Sequence, residues 1–399
     1  MSTASFHEVT FSDVAAWTDT PVTYMHLPAL EVAEPDITQE YDSANENSSD
    51  GMMSVRYPTV KNAKATYTTR IHPGTTANGN GEAANTPFMS YLLSSYFNMA
   101  TPAAGSGTTV SSGGPGNSVA ITVASATGIN VGDMLIFAAA GGAGVAAEMA
   151  VVISKSGAAL TLDRDLSTAA NYAASAVVYK GFDYHPTLAA YANALYVNHR
   201  MDGHGWLQGP GKITGFKIGG LTSREGLRYI FDYQARNWAA GVTPSFTANP
   251  YSGNPLVAVG SPCWIAGTQT IIADMSVDFG AKIEDIMATS DSTGVSGMEL
   301  VSAEPSGEIT SYYSSTRFTE YQAATGVPLM IWVGNGATDN AKARASIGIY
   351  VPNAQIDVKE ARVQGQRGLK LAWRGKRPTT TQVAAGFTAP IYLTVFGGI

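Results

Sequence analysis

Leu227-Arg228-Tyr229-Ile230-Phe231-Asp232-Tyr233-Gln234 puts Leu227, Tyr229, Phe231 and Tyr233 on one side of a strand. Arg228, Asp232 and Gln234 fall on the other. This period of two is the mark of a half-buried β-strand. Working outward, the longer stretch Pro186 to Gln234 lies over Pro328 to Lys376 without a gap. Pro186 falls on Pro328, Asn193 on Asn335, Pro210 on Pro352 and Lys217 on Lys359. Gly226-Leu227-Arg228 falls on Gly368-Leu369-Lys370, and the second copy continues as a strand to Arg374. A helix-like F-x-x-Y piece precedes both copies, at Phe88 to Tyr91 and at Phe318 to Tyr321. A β-unit written twice reads as a building block.

Bulk properties agree with that reading. Only 14% of residues are charged and 42 are glycine, which suits a β-rich subunit that buries surface against copies of itself. The net charge of −7 argues against a tightly bound nucleic acid, which needs clustered cations. The charge is unevenly spread. Met1 to Asp50 has no Lys or Arg but carries Glu31, Glu34, Asp36 and Glu40 among its acids. Lys342 to Arg377 is basic, with Lys359, Arg362, Lys370 and Arg374 among its cations. Complementary segments of this kind can meet within a subunit or between neighbours. The single cysteine, Cys263, permits no intrachain disulfide. No basic-then-apolar start suggests a signal peptide, and no apolar run approaches a membrane span. Manufacture in a cytoplasm is the expectation.

The chain divides into three parts by composition. Residues 1–101 and 181–248 form a first unit, and residues 249–399 a second of similar size. Within the first, residues 102–180 form a small inserted all-β module, entered through a Gly/Ser/Thr linker at Gly105 to Ser118. Thr86-Pro87 is expected to open a helix ending near Met99. Strands are expected at Leu188 to Tyr196, Lys212 to Ile218, Ala345 to Val351 and Ile356 to Val363.

A search for chemistry recruits no mechanism. His199 to His204 holds two histidines around Asp202, a conceivable metal set, but Asp202-Gly203 reads more readily as a turn. Cys263 has no base or orienting partner in sequence and reads as a buried thiol. The glycine runs at Gly141 to Gly144 and Gly209 to Gly211 lack the Gly-Lys-Ser/Thr of a phosphate loop. No catalytic residue, cofactor or metal is assigned, and the chain is not expected to be an enzyme.

The pattern resembles the major tail tube protein family of long-tailed, siphovirus-like bacteriophages. Thr86-Pro87-Phe88-Met89-Ser90-Tyr91-Leu92-Leu93 is similar to that family's short helix beside the tube sheet. Gly211-Lys212-Ile213-Thr214-Gly215-Phe216 and the aromatic strand after it are similar to its central strands. Ala273 to Phe279 with Gly280 resembles the strand that opens the second half of duplicated members. The resemblance implies a mainly β fold of two tandem tube domains of β-sandwich or barrel type. Each has a flanking short helix, and the inserted module sits on the tube exterior. It further implies a homotrimer that mimics a hexamer, or a homohexamer, stacked into a tube. The lumen would hold the tape measure protein and later let DNA pass without specific binding; tail terminator and distal tail proteins would occupy the ends. Localisation would be the virion, after assembly in the host cytoplasm. Glu31, Glu34, Asp36 and Glu40 meeting Arg362, Lys370 and Arg374 are the expected contacts between subunits or rings. The alternative is a virion adhesion or carbohydrate-binding protein, with the inserted module as binder.

Overall fold

The computed structural model describes residues 7–19, 21, 24–32, 35–43, 56–72, 87, 89–100, 102, 107–112, 119–138, 147–166, 175–188, 193–201, 204–221, 226–240, 256, 262–288, 295–323, 326–334, 346–363 and 365–396. The fold is mainly β, with an 18-stranded sheet, a closed six-stranded barrel and a separate two-stranded hairpin among these residues. Thr86, Phe88, Glu34, Asp202 and Gly203 lie outside the described residues.

The first half of the large sheet comprises β1 (His7–Val14), β2 (Met25–Leu27), β3 (Ala29–Val32), β4 (Asp36–Ser43) and β5 (Arg56–Arg70). Helix α1 (Ser90–Phe97) follows. The barrel comes next: β6 (Thr108–Ser112), β7 (Ala120–Val123), β8 (Met134–Ala138), β9 (Glu148–Ser156), β10 (Ala159–Leu162) and β11 (Val177–Lys180). The first half resumes with β12 (Phe182–Tyr184), β13 (Ala194–Met201), β14 (His204–Gly219), β15 (Arg228–Ala235) and β16 (Trp238–Ala240). The second half begins with β17 (Cys263–Ile265), β18 (Thr268–Thr270), β19 (Ile272–Asp278) and the hairpin β20 (Ala281–Met287) and β21 (Val295–Ala303). It continues with β22 (Ser306–Tyr312), α2 (Ser315–Ala323), β23 (Val327–Gly334), β24 (Ser346–Val363), β25 (Gln366–Gly375), α3 (Thr380–Ala385) and β26 (Tyr392–Phe396).

Strand pairing repeats between the halves. Hairpin β1–β2 docks on β13 as hairpin β17–β18 docks on β23. The meander β13–β14–β15 matches β23–β24–β25. Strand β5 covers β15 as β22 covers β25, and β3 with β4 covers β5 as β19 covers β22. Even irregularities recur. The ladder slips between Ala29 and Glu31 opposite Thr69 and Thr68, and between Ile272 and Asp274 opposite Ser311 and Thr310. Both long central strands bulge against their first neighbour, opposite Leu195/Val197 and Val327/Leu329, and Pro210 and Pro352 stand at those two bulges. A proline has no N–H for the ladder, so a bulge is where a strand can hold one. Helix α1 packs on β14, and α2 on β24.

The gapless overlay is therefore sound in the central strand and wrong on its flanks. Lys217 and Lys359 are equivalent, since they pair with Ile230 and Lys370 on matching strands. Arg228, however, matches Gly368, because the chain from Lys217 round to its partner Ile230 is two residues longer than the chain from Lys359 round to its partner Lys370. The first strand is Ala194–Met201, later than expected, and it matches Val327–Gly334.

The alternation in β15 buries Tyr229, Phe231, Tyr233 and Ala235, as the sequence implies. Helix α1 starts after Met89, later than Thr86-Pro87 suggested, and ends at Asn98, which turns left-handed and donates its N–H to the Ser94 carbonyl. Strands β14 and β24 run 16 and 18 residues without interruption, where shorter strands were expected.

Candidate functional site: one closed joint and two open edges

The halves join along a strand edge. Beyond Gly211, β14 leaves its β13 neighbour, and its far end pairs with β19 in register Lys217↔Asp278 and Ile218↔Val277. Lys217 Nζ stands 3.5 Å from the Asp278 carboxylate. Beneath this ladder Tyr96 and Phe97 of α1, Phe216 of β14 and Phe279 of the second half form one aromatic cluster. Phe216 and Phe279 ring centres are 4.8 Å apart, and Phe97 to Phe279 is 5.5 Å. The Ala281 N–H donates to the Tyr96 hydroxyl at 2.9 Å, tying helix to hairpin across the joint. Burial pushes the Tyr96 hydroxyl far above its usual range, so it stays protonated. Each aromatic pair adds about 0.5–1.5 kcal/mol beyond area burial, so the cluster outweighs the exposed ion pair, which is worth at most ~1 kcal/mol.

Each side of this joint has a counterpart elsewhere in the chain. Asp278 pairs with Ser306 of β22, and the matching position of β5 is Lys64, whose partner is Asp36. Asp36 and Ile37 are thus the counterparts of Asp278 and Phe279. Val358 and Lys359 of β24 are the counterparts of Phe216 and Lys217. Among the described residues the 355–363 part of β24 pairs with β25 alone, and β4 pairs with β5 alone. Lys359 and Asp36 are exposed, and Val358 and Ile37 are half-buried. A strand edge of this kind is a template for another strand.

The sheet face opposite the core is polar in both halves and carries a matching hollow in each. One, of about 420 Å³, is lined by Lys64, Thr66, Thr214, Asp232 and Gln234; the other, of about 520 Å³, by Glu308, Gln355, Asp357, Ala372 and Arg374. Two of the cations on this face have acidic neighbours: Lys370 pairs with Glu308 at 2.8 Å and Lys359 with Asp357 at 3.5 Å.

The barrel is inserted in the first half but packs on the second. Met134, Ile136, Met149 and Val151 on its outside meet Met330, Trp332, Tyr350 and Tyr392. Arg164 lies 3.9 Å over the Trp264 ring. Gly348 permits the approach, since a Cβ there would lie 2.5 Å from Met134 Sδ. At the seam, Lys180 Nζ bridges Asp133 at 2.9 Å and Asp183 at 3.5 Å. Burial, with Asp133 beside it, pushes the Asp183 carboxyl well up. Burial works against the Lys180 charge, but the two carboxylates hold its pKa above the usual lysine value. A cavity of about 650 Å³ opens beside this cluster, lined also by His185, Thr388 and Tyr392.

Among the residues expected from sequence, Asp36 is exposed at the start of β4, Arg362 is exposed on the stretch of β24 that pairs with β25 alone among the described residues, and Lys370 and Arg374 are exposed on β25. Glu31 and Glu40 belong to β3 and β4. His199 and His204 are not a metal set: His199 is fully buried, edge-on to Tyr67 and Trp206, while His204 is exposed. Among the described residues no three His, Cys, Asp or Glu side chains converge. Cys263 is buried, and burial pushes its thiol up to about 12. No helix among the described residues is long and apolar enough to cross a membrane. Sequence reasoning passed over Tyr96, Phe97, Phe279 and Lys359 as site residues. The doubled Lys217/Lys359 was the signal available for the last.

No family model matches the chain, and no curated protein matches it.

Proposed function

We propose that the chain is a structural subunit that closes into rings and stacks into a tube, of the kind built by the tail tube proteins of long-tailed bacteriophages. The tube would be part of a virion and the conduit for genome ejection. The observation that carries this reading is the internal joint. One chain already holds two copies of a β-unit fused edge to edge, and among the described residues the same pair of edges is left over. Three chains then supply six units to one ring. The polar sheet face suits a wet lumen. Lys217, Lys359 and Lys370 sit beside acids, which weakens the field a sliding polyanion would meet there. Partners are copies of the chain, a tape measure protein in the lumen during assembly, and terminator and distal tail proteins at the ends.

The acidic Glu31, Glu34, Asp36 and Glu40 meeting the basic Arg362, Lys370 and Arg374 belong to this reading as contacts between copies. Reversing Arg362, Lys370 and Arg374 to Glu is expected to stop polymerisation while the monomer stays folded. Negative-stain microscopy of the purified chain is expected to show rings or tubes. A monomer at every concentration tried would overturn the reading.

A further inference from the structure

We infer that the far end of β24 in one copy pairs with β4 of a second copy, in antiparallel register with Lys359 opposite Asp36. The occupant of each open edge is therefore the other edge of an identical chain. The inference rests on the self-assembly reading above and specifies its contact.

The argument is one of internal repetition. The chain contains two central strands, each continuing past a bulge beyond its first neighbour. In β14 that continuation finds β19, and Lys217 lies opposite Asp278. In β24 the continuation carries Lys359 at the same ladder position but reaches no strand among the described residues. The strand equivalent to β19 on the other half is β3 with β4, and its ladder position equivalent to Asp278 is Asp36. Half of the joint thus exists at each end of the chain, with its charges already of opposite sign. The apolar part is present too. Val358 and Ile37, both half-buried, stand where Phe216 and Phe279, both fully buried, stack within the chain.

Within the chain, the far end of β24 and β4 do not pair with each other among the described residues. Used between copies, the contact is heterologous: β24 of the first meets β4 of the second, whose own β24 stays open for a third. Such a contact either closes a ring or grows without end. Antiparallel strand addition supplies the backbone hydrogen bonds, and the Lys359–Asp36 pair fixes the register. This places Asp36 at a contact within a ring, not between stacked rings.

The test is a paired cysteine variant of the full chain, Asp36→Cys with Lys359→Cys. Paired residues on antiparallel strands lie within disulfide range. Cys263 is fully buried and stays out of the reaction. Mild oxidation is expected to give a covalent ladder on denaturing gels. Either single variant alone should give no linked product, and a mixture of the two singles should stop at dimers. In parallel, Lys359→Glu is expected to raise the concentration needed for assembly at least tenfold, and adding Asp36→Lys to restore it. Both side chains are exposed, so the melting temperature of the monomer should not move. If rings or tubes form but neither the cross-link nor the charge rescue is seen, this contact is wrong and the self-assembly reading stands. If the unmodified chain never associates, both fall.

Discussion

The far end of β14 and the far end of β24 are nearly the same piece of structure in two different situations. Both follow a bulge, both have one neighbour on their first flank, and both carry a lysine at one ladder position. On β14, Phe216 is sealed and Ile218 is 4% exposed. On β24, Val358 is half-buried and Lys359 and Glu360 are open. The residues differ less than their burial does. What changes is whether the strand's other edge meets a partner among the described residues. A strand buries itself through its neighbour, so the second edge reads as unfinished, not as a different design.

The comparison can be broken most forcefully in the core. Trp373 sits where Tyr233 sits in the other half, each 1% exposed. Trp373→Ala is expected to cost about 3–5 kcal/mol in urea unfolding. The Tyr233 hydroxyl donates to the Leu195 and Gln208 carbonyls at 2.9 and 3.0 Å, so Tyr233→Phe should cost about 1–3 kcal/mol. Equal losses from Tyr233→Phe and Tyr233→Ala would show that the hydroxyl, not the ring, holds that half together.

The barrel's seat distinguishes the halves next. Gly348→Val forces a side chain against Met134 and Met149. About 1–3 kcal/mol is expected to be lost, with faster hydrogen exchange confined to β8, β9 and β26. An unchanged exchange pattern would mean that the barrel does not lean on the second half. At the joint, Tyr96→Phe leaves the Ala281 N–H without its acceptor. A loss of about 1 kcal/mol is expected, together with faster exchange at Ala281.

Asp13 has no counterpart, because β17 ends at Ile265 where β1 continues to Val14. Burial raises its carboxyl from 3.8 to about 6, against the hydrogen bond from Asn193. Between those values the folded chain keeps a proton that the unfolded chain has released. Stability therefore falls as pH rises through that window and stays lower above it. Asp13→Asn is expected to raise the melting temperature by a few degrees near neutral pH and to do little once the pH lies below the unfolded value. A gain only in acid would reverse the sign of this assignment. The smallest effect belongs to Lys217→Met. Its ion pair with Asp278 is about half exposed, so less than ~1 kcal/mol should be lost. A larger loss would mean that the charge pair, and not the aromatic cluster, holds the joint.

Much of the fold was legible. The alternation from Leu227 to Gln234 gave β15 and its buried face, and Phe318 marked α2. Misreadings have local causes. The expected strands Lys212 to Ile218 and Ala345 to Val351 stop short of Pro210 and Pro352, yet each proline sits at a bulge inside one long strand. A gapless overlay could not absorb the longer connection between β14 and β15. Helix α3 was missed although Thr379 and Gln382 spell its capping box.

The sequence by itself determined the two-residue period, the doubled unit, the break in composition at the inserted module and the separation of acidic and basic segments. These are properties of near neighbours and of copied text, and they survive without coordinates. Only the tertiary structure decided which copies of a strand are covered. It brought Asp278 to Lys217 and left Asp36 and Lys359 apart. It also set the barrel against the half it does not belong to in sequence. Pairing depends on where distant edges arrive in space, and no local pattern of side chains encodes that.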